Sequence, residues 1–369
     1  MATDNELLQL LRDSADSFLD EHPTTHHNQV FSAPSYHLDK GSWRAMADAG
    51  WLGLNLKEEL GGSGLGGHEA ATLTEAFGLK AFATPFIGAA VLPATLLNGC
   101  DASQAMTHEL AAALGEGRSF LAVAWQESRG DHQSLDFACA LRDGCLYGRK
   151  QFIQLADARS TLLVVARQDN QTVIAAVDGE GPGVSLESRA GANGLFAEAR
   201  FDGAPLLSGK PLASGTAAEQ ALTRAVQLAT LAQAAQLAGI AQGCLDKTLA
   251  YLGERVQFDH PISRFQAIRH RAVDLHIASV LARASWQNAA DKLDDAENFP
   301  AALSAAKARC NDSANLVTRE AVQMHGAMGF TEEGGVGDYL RQALSGAGWL
   351  GSSRHHRQHF NAIIGGRHA

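Results

Sequence analysis

The run from Ala217 to Leu252 sets the first limit on how this chain can fold. It is rich in Ala and Leu and is interrupted by Arg224, Gln227, Gln233, Gln236 and Gln242. It is therefore too polar for a membrane span and reads as a long helix of a bundle. Small residues on such a helix let its neighbours approach closely. Thr216-x-x-Glu219 has the spacing of a capping box at its start. Helical spacing also marks residues 5–20, through Leu7, Leu8, Leu10, Leu11, Phe18 and Leu19, a segment from Gly41 to Ala49, and the runs 269–294 and 300–324. One helical bundle therefore opens the chain and another, of four helices, closes it.

Between the bundles the period changes. Leu121 to Trp125, Leu162 to Ala166 and Thr172 to Val177 are short β-branched runs, separated by turn signals at Asp143-Gly144, Asp169-Asn170 and Gly181-Pro182-Gly183. The spacing predicts an antiparallel β domain inserted in a mainly α chain, with an N-terminal α domain at 1–118, a β domain at 119–212 and a C-terminal α bundle at 213–369. A chain of 369 residues, 46% of them hydrophobic, is long enough to bury cores of this size.

Thirty basic against forty acidic residues give a formal charge of -10, which argues against a nucleic-acid partner. Cys100, Cys139, Cys145, Cys244 and Cys310 form no CxxC pair and are odd in number, as expected of thiols in a reducing cytoplasm. The N-terminal stretch has early acids and no apolar core of signal-peptide type. Gly62, Gly64 and Gly67 spell a literal GxGxxG. That motif holds a dinucleotide only after a buried strand in a βαβ unit, and these surroundings are helical, so the glycines are expected to form a tight turn.

Polar residues concentrate from Tyr251 to His276. Arg255, Arg264, Arg269, Arg271, His260, His270 and His276 stand beside Gln257, Gln266, Phe258 and Phe265. Pro261 lacks an N–H and pushes His260 out of the α region, so two helix ends are expected to meet here. The planar guanidinium of Arg suits phosphate and pyrophosphate; a solvated helix face would show the same spacing.

Arg255-x-Gln257-Phe258-x-x-Pro261-Ile262-x-x-Phe265-Gln266-x-x-x-His270 resembles the RxxFGxPIxxFQxxxH pattern of the acyl-CoA dehydrogenase family, with Asp259 at its Gly. Gln323 to Thr331 resembles the family's QxxGGxGFT, with Ala327 at the second Gly, and Trp43 through Glu75 resembles its amino-terminal pattern. The α, β, α order is also the family's. The resemblance implies FAD and the removal of two hydrogens across the α,β carbons of an acyl-CoA thioester. In that chemistry a carboxylate takes the α-proton, hydride passes to N5 of the flavin, and an electron-transfer flavoprotein collects the electrons.

Two base positions of the family fall here on Leu350 and Ala229, neither of which accepts a proton. The segment whose Thr and Ser bond the flavin reads Gln126 to His132, and Phe152 stands where the family stacks a Trp. By the resemblance, Arg255, Gln257, Phe258, Ile262, Phe265, Gln266, Gln323, Gly326 and Ala327 are what a subunit offers to its neighbour's cofactor. The lost residues are those it uses on its own. This implies a heterotetramer with a second subunit of the same family, similar to the enzymes of bacterial sterol and steroid degradation. Alternatives are a relocated base at Glu254, Glu332 or Glu333, and a monooxygenase or oxidase on the same fold. No metal site is expected. His355, His356 and His359 read as part of a solvated basic helix, and His270 and Asp274 as a local pair.

Overall fold

The computed structural model describes residues 2–23, 39–128, 130, 135–155, 159–192 and 194–366. The order of elements is α1 (Ala2–Glu21), α2 (Lys40–Asp48), α3 (Gly67–Leu79), a π-turn at Ile87–Val91, α4 (Leu92–Leu97) and α5 (Ala105–Gly115). Strands follow: β1 (Leu121–Ala124), β2 (Ala140–Arg142), β3 (Cys145–Leu155), β4 (Thr161–Gln168), β5 (Gln171–Asp178), β6 (Val184–Gly191), β7 (Gly194–Pro205) and β8 (Ala213–Ser214). The chain ends with α6 (Thr216–Glu254), a hairpin of β9 (Val256–Gln257) and β10 (His260–Pro261), α7 (Gln266–Ala290), α8 (Phe299–His325), α9 (Val336–Gly348) and α10 (Ser353–Gly366).

Two compact units divide this chain in an interleaved way. One comprises Met1–Asn28, Gly67–Ala83 and Thr230–Ala369, the other Gln29–Gly66 and Thr84–Ala229.

In the first unit a continuous core runs through α6, α7, α8 and α9, with Leu237, Ile240, Leu275, Trp286, Phe299, Cys310, Val317 and Tyr339 all buried. The small residues of α6 do what their spacing promised. A Cβ on Gly239 would collide with the Glu75 carbonyl oxygen, one on Gly243 with that of Leu79, and one on Gly78 with that of Gln236. Helices α3 and α6 thus lie backbone against backbone, and the Thr74 hydroxyl donates across the gap to the Ala232 carbonyl at 2.8 Å. At that distance packing has no slack for a methyl group.

The second unit holds one eight-stranded sheet, in the order β6-β7-β3-β2-β4-β5-β8, with β1 beside β4. It is antiparallel except where β1 and the start of β2 lie parallel to β4. The middle residues of β4 and β5 are buried on both faces, so these strands read as continuous apolar runs without alternation. Both two-residue turn signals are real: Asp143 and Gly144 join β2 to β3, and Asp169 and Asn170 join β4 to β5. All four residues have φ between +47° and +75°. Such turns match the twist of a hairpin and favour Asp, Asn and Gly.

The capping box does not form as spaced. Thr216 is already the first helical residue, and Glu219 accepts the Thr172 hydroxyl of β5 at 3.0 Å, which ties the sheet to the start of α6. The glycine loop follows a short 3-10 turn, Glu58–Leu60, and leads into α3; with no strand before it, it is a turn and no dinucleotide fold. All five cysteines are free. Among the described residues no helix is long and apolar enough to cross a membrane.

Candidate functional site

The polar stretch around Pro261 folds into an elbow between α6 and α7. Pro261 takes φ −54°, ψ 136°, and a 3-10 turn at Ile262–Arg264 leads into α7. The Arg255 backbone clamps the elbow at both ends. Its N–H donates to the Tyr251 carbonyl at 2.9 Å, and its carbonyl accepts the Ile262 N–H at 2.9 Å. Phe258 and Asp259 form the two-residue turn, with φ +52° and +66°. A left-handed residue at 259 explains why the related pattern has Gly there.

This geometry sends the expected cofactor residues outward. Arg255, Gln257, Phe258, Phe265 and Gln266 are all exposed, and Phe258 is 80% exposed, with its ring edge-on to Phe265 at 6.0 Å. Ile262 differs: it packs on the hydrophobic core and acts as the elbow's anchor. The second motif meets the first through Tyr251, whose ring stacks on His325 at 4.3 Å and whose hydroxyl donates to the His325 carbonyl at 3.3 Å. Helix α8 therefore ends beside the elbow. Gln323, Gly326 and Ala327 are exposed there, and Phe330 is 84% exposed. Gly326, at φ +59°, turns the chain at this helix end.

The result is a face of side-chain donors, guanidinium groups and uncovered rings. Among the four arginines of the elbow and the start of α7, Arg271 holds a carboxylate, with its Nε 2.9 Å from Glu320; Arg255, Arg264 and Arg269 make no ion pair among the described residues. His270 Nε2 sits 3.5 Å from Gln266 Nε2, and among the described residues no ion pair joins it to Asp274.

The two base positions are both closed to proton transfer. Ala229 is buried in α6. Leu350 is 1% exposed, with φ +56°. Its carbonyl faces the Nε2 of buried His356 at 2.8 Å. The flanking carbonyls of Trp349 and Gly351 accept from Lys307 Nζ at 3.0 and 3.2 Å, as do Gly346 O at 3.1 Å and Asn311 Oδ1 at 2.8 Å. An ammonium group, buried and pulled down to about 7 by that burial, thus staples the turn that carries residue 350. Glu254, Glu332 and Glu333 are all exposed.

The sequence reading missed this staple. Its one visible trace is a lone Lys in the Ala-rich first half of α8. The reading of the C-terminal histidines as a solvated face is corrected as well. His356 is buried under Leu350, and His359 Nδ1 lies 2.8 Å from the Ser304 hydroxyl. Burial holds His355 and His359 below the usual imidazole range. Among the described residues no three ligands gather for a metal.

In the sheet unit, Phe152 occupies an irregularity of β3, where the register to β7 shifts between Lys150 and Ile153. It has φ +56° and is 38% exposed. Beside it, Glu127 is fully engaged. It accepts Lys150 Nζ at 2.7 Å and the N–H groups of Ala138 and Cys139 at 2.7 and 2.9 Å. Lys150 also donates to the Trp125 carbonyl at 3.0 Å and lies 4.3 Å over the Phe137 ring. These groups are committed to one another beside the interior strand β3 and supply no hydroxyl donors. Arg129, Asp131 and His132 lie outside the described residues.

Residues 5–107 match a family model described as acyl-CoA dehydrogenase, N-terminal domain, and residues 218–364 one described as acyl-CoA dehydrogenase, C-terminal domain. The chain is 38% identical over 138 residues to acyl-CoA dehydrogenase IpdE2 of Mycolicibacterium smegmatis, a match spanning 37% of this chain and 42% of that protein. It is 27% identical over 355 residues to acyl-CoA dehydrogenase IpdE2 of Mycobacterium tuberculosis, across 95% of each chain. A solved structure of a variant of the Tcur3481-Tcur3483 steroid ACAD superposes with a TM-score of 0.86 at 26% identity, over 99% of both chains.

Proposed function

The chain belongs to the acyl-CoA dehydrogenase family of FAD-dependent oxidoreductases, and from that premise we propose that it is a subunit which completes a partner's flavin site and leaves the proton abstraction to that partner. The observation that carries this reading is Leu350, an apolar side chain buried and stapled at the position where the resemblance places the base. A carboxylate cannot be recruited there by a rotamer change, because the backbone around it is held by Lys307 and His356.

The elbow face fits the other half of the task. Arg255 would hold the cofactor's pyrophosphate, with Gln257, Gln266 and Gln323 bonding to it and the exposed rings of Phe258 and Phe265 covering its edge. FAD bound there would supply the hydride acceptor of the dehydrogenation. On this chain's own sheet, Phe152 offers a ring to stack on, but Glu127 and Lys150 are consumed by each other. That imbalance between a complete outward face and an incomplete inward one favours a heteromeric complex, a heterotetramer by likeness to the two-polypeptide steroid ACAD.

The substrate we infer is a CoA thioester of a steroid- or sterol-derived acid, in the cytoplasm, with an electron-transfer flavoprotein as acceptor. What supports it is the likeness to the steroid ACAD, whose name pairs two polypeptides. The test is flavin content per polypeptide, for the chain purified alone and after co-expression with a second family member encoded beside it. Little flavin alone and about one per two chains in the complex is the expected outcome. One flavin per chain in the isolated protein would overturn the reading.

A further inference from the structure

Helix α7 is apolar on two sides. Leu275, Ala282, Trp286 and Ala289 lie in the core of their unit. The opposite face carries Val273, Ile277, Val280 and Leu281, each between 44% and 56% exposed, and then the exposed Ala284. A helix that is apolar all round belongs where both faces are covered.

The outer face has the pattern of a helix contact. Val273, Ile277, Val280 and Ala284 follow one another at steps of four, three and four residues. That is the spacing of a seam between two helices, in which each side chain enters a gap on the facing helix. A helix that faced only water would carry polar residues at these positions.

The two ends of the seam differ in sign. Arg269 is exposed in the first turn of α7, and Asp291 is exposed at its C-terminal cap. Among the described residues neither makes an ion pair. Each stands at the unfavourable end of its own helix, because the macrodipole opposes a cation at the N-terminus and an anion at the C-terminus.

A second α7 laid antiparallel across the midpoint of the seam resolves both features. Ile277 then meets Val280, Val273 meets Ala284, and Arg269 reaches toward Asp291, each twice over by two-fold symmetry. Each charge also gains the helix end that favours it. A parallel copy would bring like charges together instead.

We infer that α7 is the surface by which two copies of this chain pair, antiparallel, about Ile277 and Val280. The occupant is a second copy because a two-fold contact requires one surface to complement itself, and this seam does so in both shape and charge. The pairing leaves the elbows at opposite ends of the joined helices. Addition of two partner subunits to that pair rests on the proposed function; the α7 contact rests on the seam.

The experiment is light scattering of the full chain, in the complex in which it purifies, with flavin content read on the same sample. Ile277→Asp/Val280→Asp should halve the mass and leave flavin per polypeptide unchanged. Arg269→Glu or Asp291→Arg alone should weaken pairing about tenfold, because two symmetric charge pairs are lost at once. Arg269→Glu/Asp291→Arg should restore it, since reversing both charges on a self-paired surface keeps them opposite. Ile277→Cys with a short bismaleimide should join two copies of this chain. The substituted residues are exposed, and far-UV circular dichroism checks that each variant is folded. An unchanged mass in Ile277→Asp/Val280→Asp, no rescue in the charge swap, or a cross-link from Ile277→Cys to a different polypeptide would each overturn the assignment. Failure of the shared-flavin reading has another signature, one flavin per chain, and leaves the predicted fall in mass as it stands.

Discussion

Replacing Lys307 by Met tests whether the turn at Leu350 is a built feature or an accident of packing. The side chain is fully buried, and its Nζ has four oxygens within 3.2 Å. Met fills nearly the same volume and donates nothing. Gly351 O keeps the Asn311 Nδ2 bond at 3.2 Å, so three acceptors lose their Lys307 donor: Gly346 O, Trp349 O and Asn311 Oδ1. Each costs about 1–3 kcal/mol when left unmet, and relief of the ammonium's desolvation returns several kcal/mol. The net loss is about 3 kcal/mol.

The pH dependence has a definite sign. Burial lowers the Lys307 pKa from 10.5 to about 7, so between those values the folded chain binds fewer protons than the unfolded one. Stability therefore rises with pH through that window, by up to about 1.4 kcal/mol per unit for a single group. The Met variant lacks this contribution. Urea unfolding followed by far-UV circular dichroism, at pH 7 and pH 9, should show the variant less stable and the gap between the two proteins widening with pH. Equal stability with parallel pH curves would refute the staple.

Other outcomes follow from the same structure. Gly239→Ala places a methyl against the Glu75 carbonyl; overpacking outweighs the gain in helix propensity, and thermal unfolding should register a loss of about 2 kcal/mol. Glu127→Gln leaves Lys150 charged and buried without its carboxylate, which should cost about 3–5 kcal/mol in chemical denaturation. Arg255→Ala should leave the chain's own unfolding midpoint unchanged, since the side chain is exposed, while flavin in the complex binds about tenfold more weakly. Leu350→Met keeps an apolar side chain unbranched at Cβ at φ +56° and should leave turnover of the complex intact; a drop in kcat with unchanged flavin content would show that this turn takes part in the chemistry.

What was legible in the sequence was whatever rests on local rules. The Ala- and Leu-rich run gave α6, the Asp-Gly and Asp-Asn pairs gave two hairpins, and Pro261 marked the elbow. The capping box failed because Thr172, distant in sequence, took the Glu219 carboxylate. Lys307 and His356 stayed hidden for the same reason. Their partners are backbone carbonyls up to 44 residues away, and no spacing rule reports on a carbonyl. The C-terminal histidines looked solvated because helical periodicity shows which residues share a face, and only tertiary packing shows what that face meets.

Backbone conformation joins these places in a way that composition does not. Among the described residues, eight other than glycine have positive φ, and four of them are Asp or Asn, which tolerate it in turns. The remainder are Ala81, Phe152, Phe258 and Leu350. A bulky side chain in the left-handed region costs about 1–2 kcal/mol and persists only where its surroundings over-determine it. Phe152 stands where the family stacks an aromatic on its own flavin, Phe258 at the tip of the elbow offered to a neighbour, and Leu350 at the base position. Three of the four strained residues therefore sit at the three places the resemblance names. A chain that had merely decayed would be expected to relax the Leu350 turn first, because no base is left there to present. It has kept that turn closed, with a buried lysine and a buried histidine on its carbonyls, which is the behaviour expected if the turn still shapes the wall of a site that two subunits share.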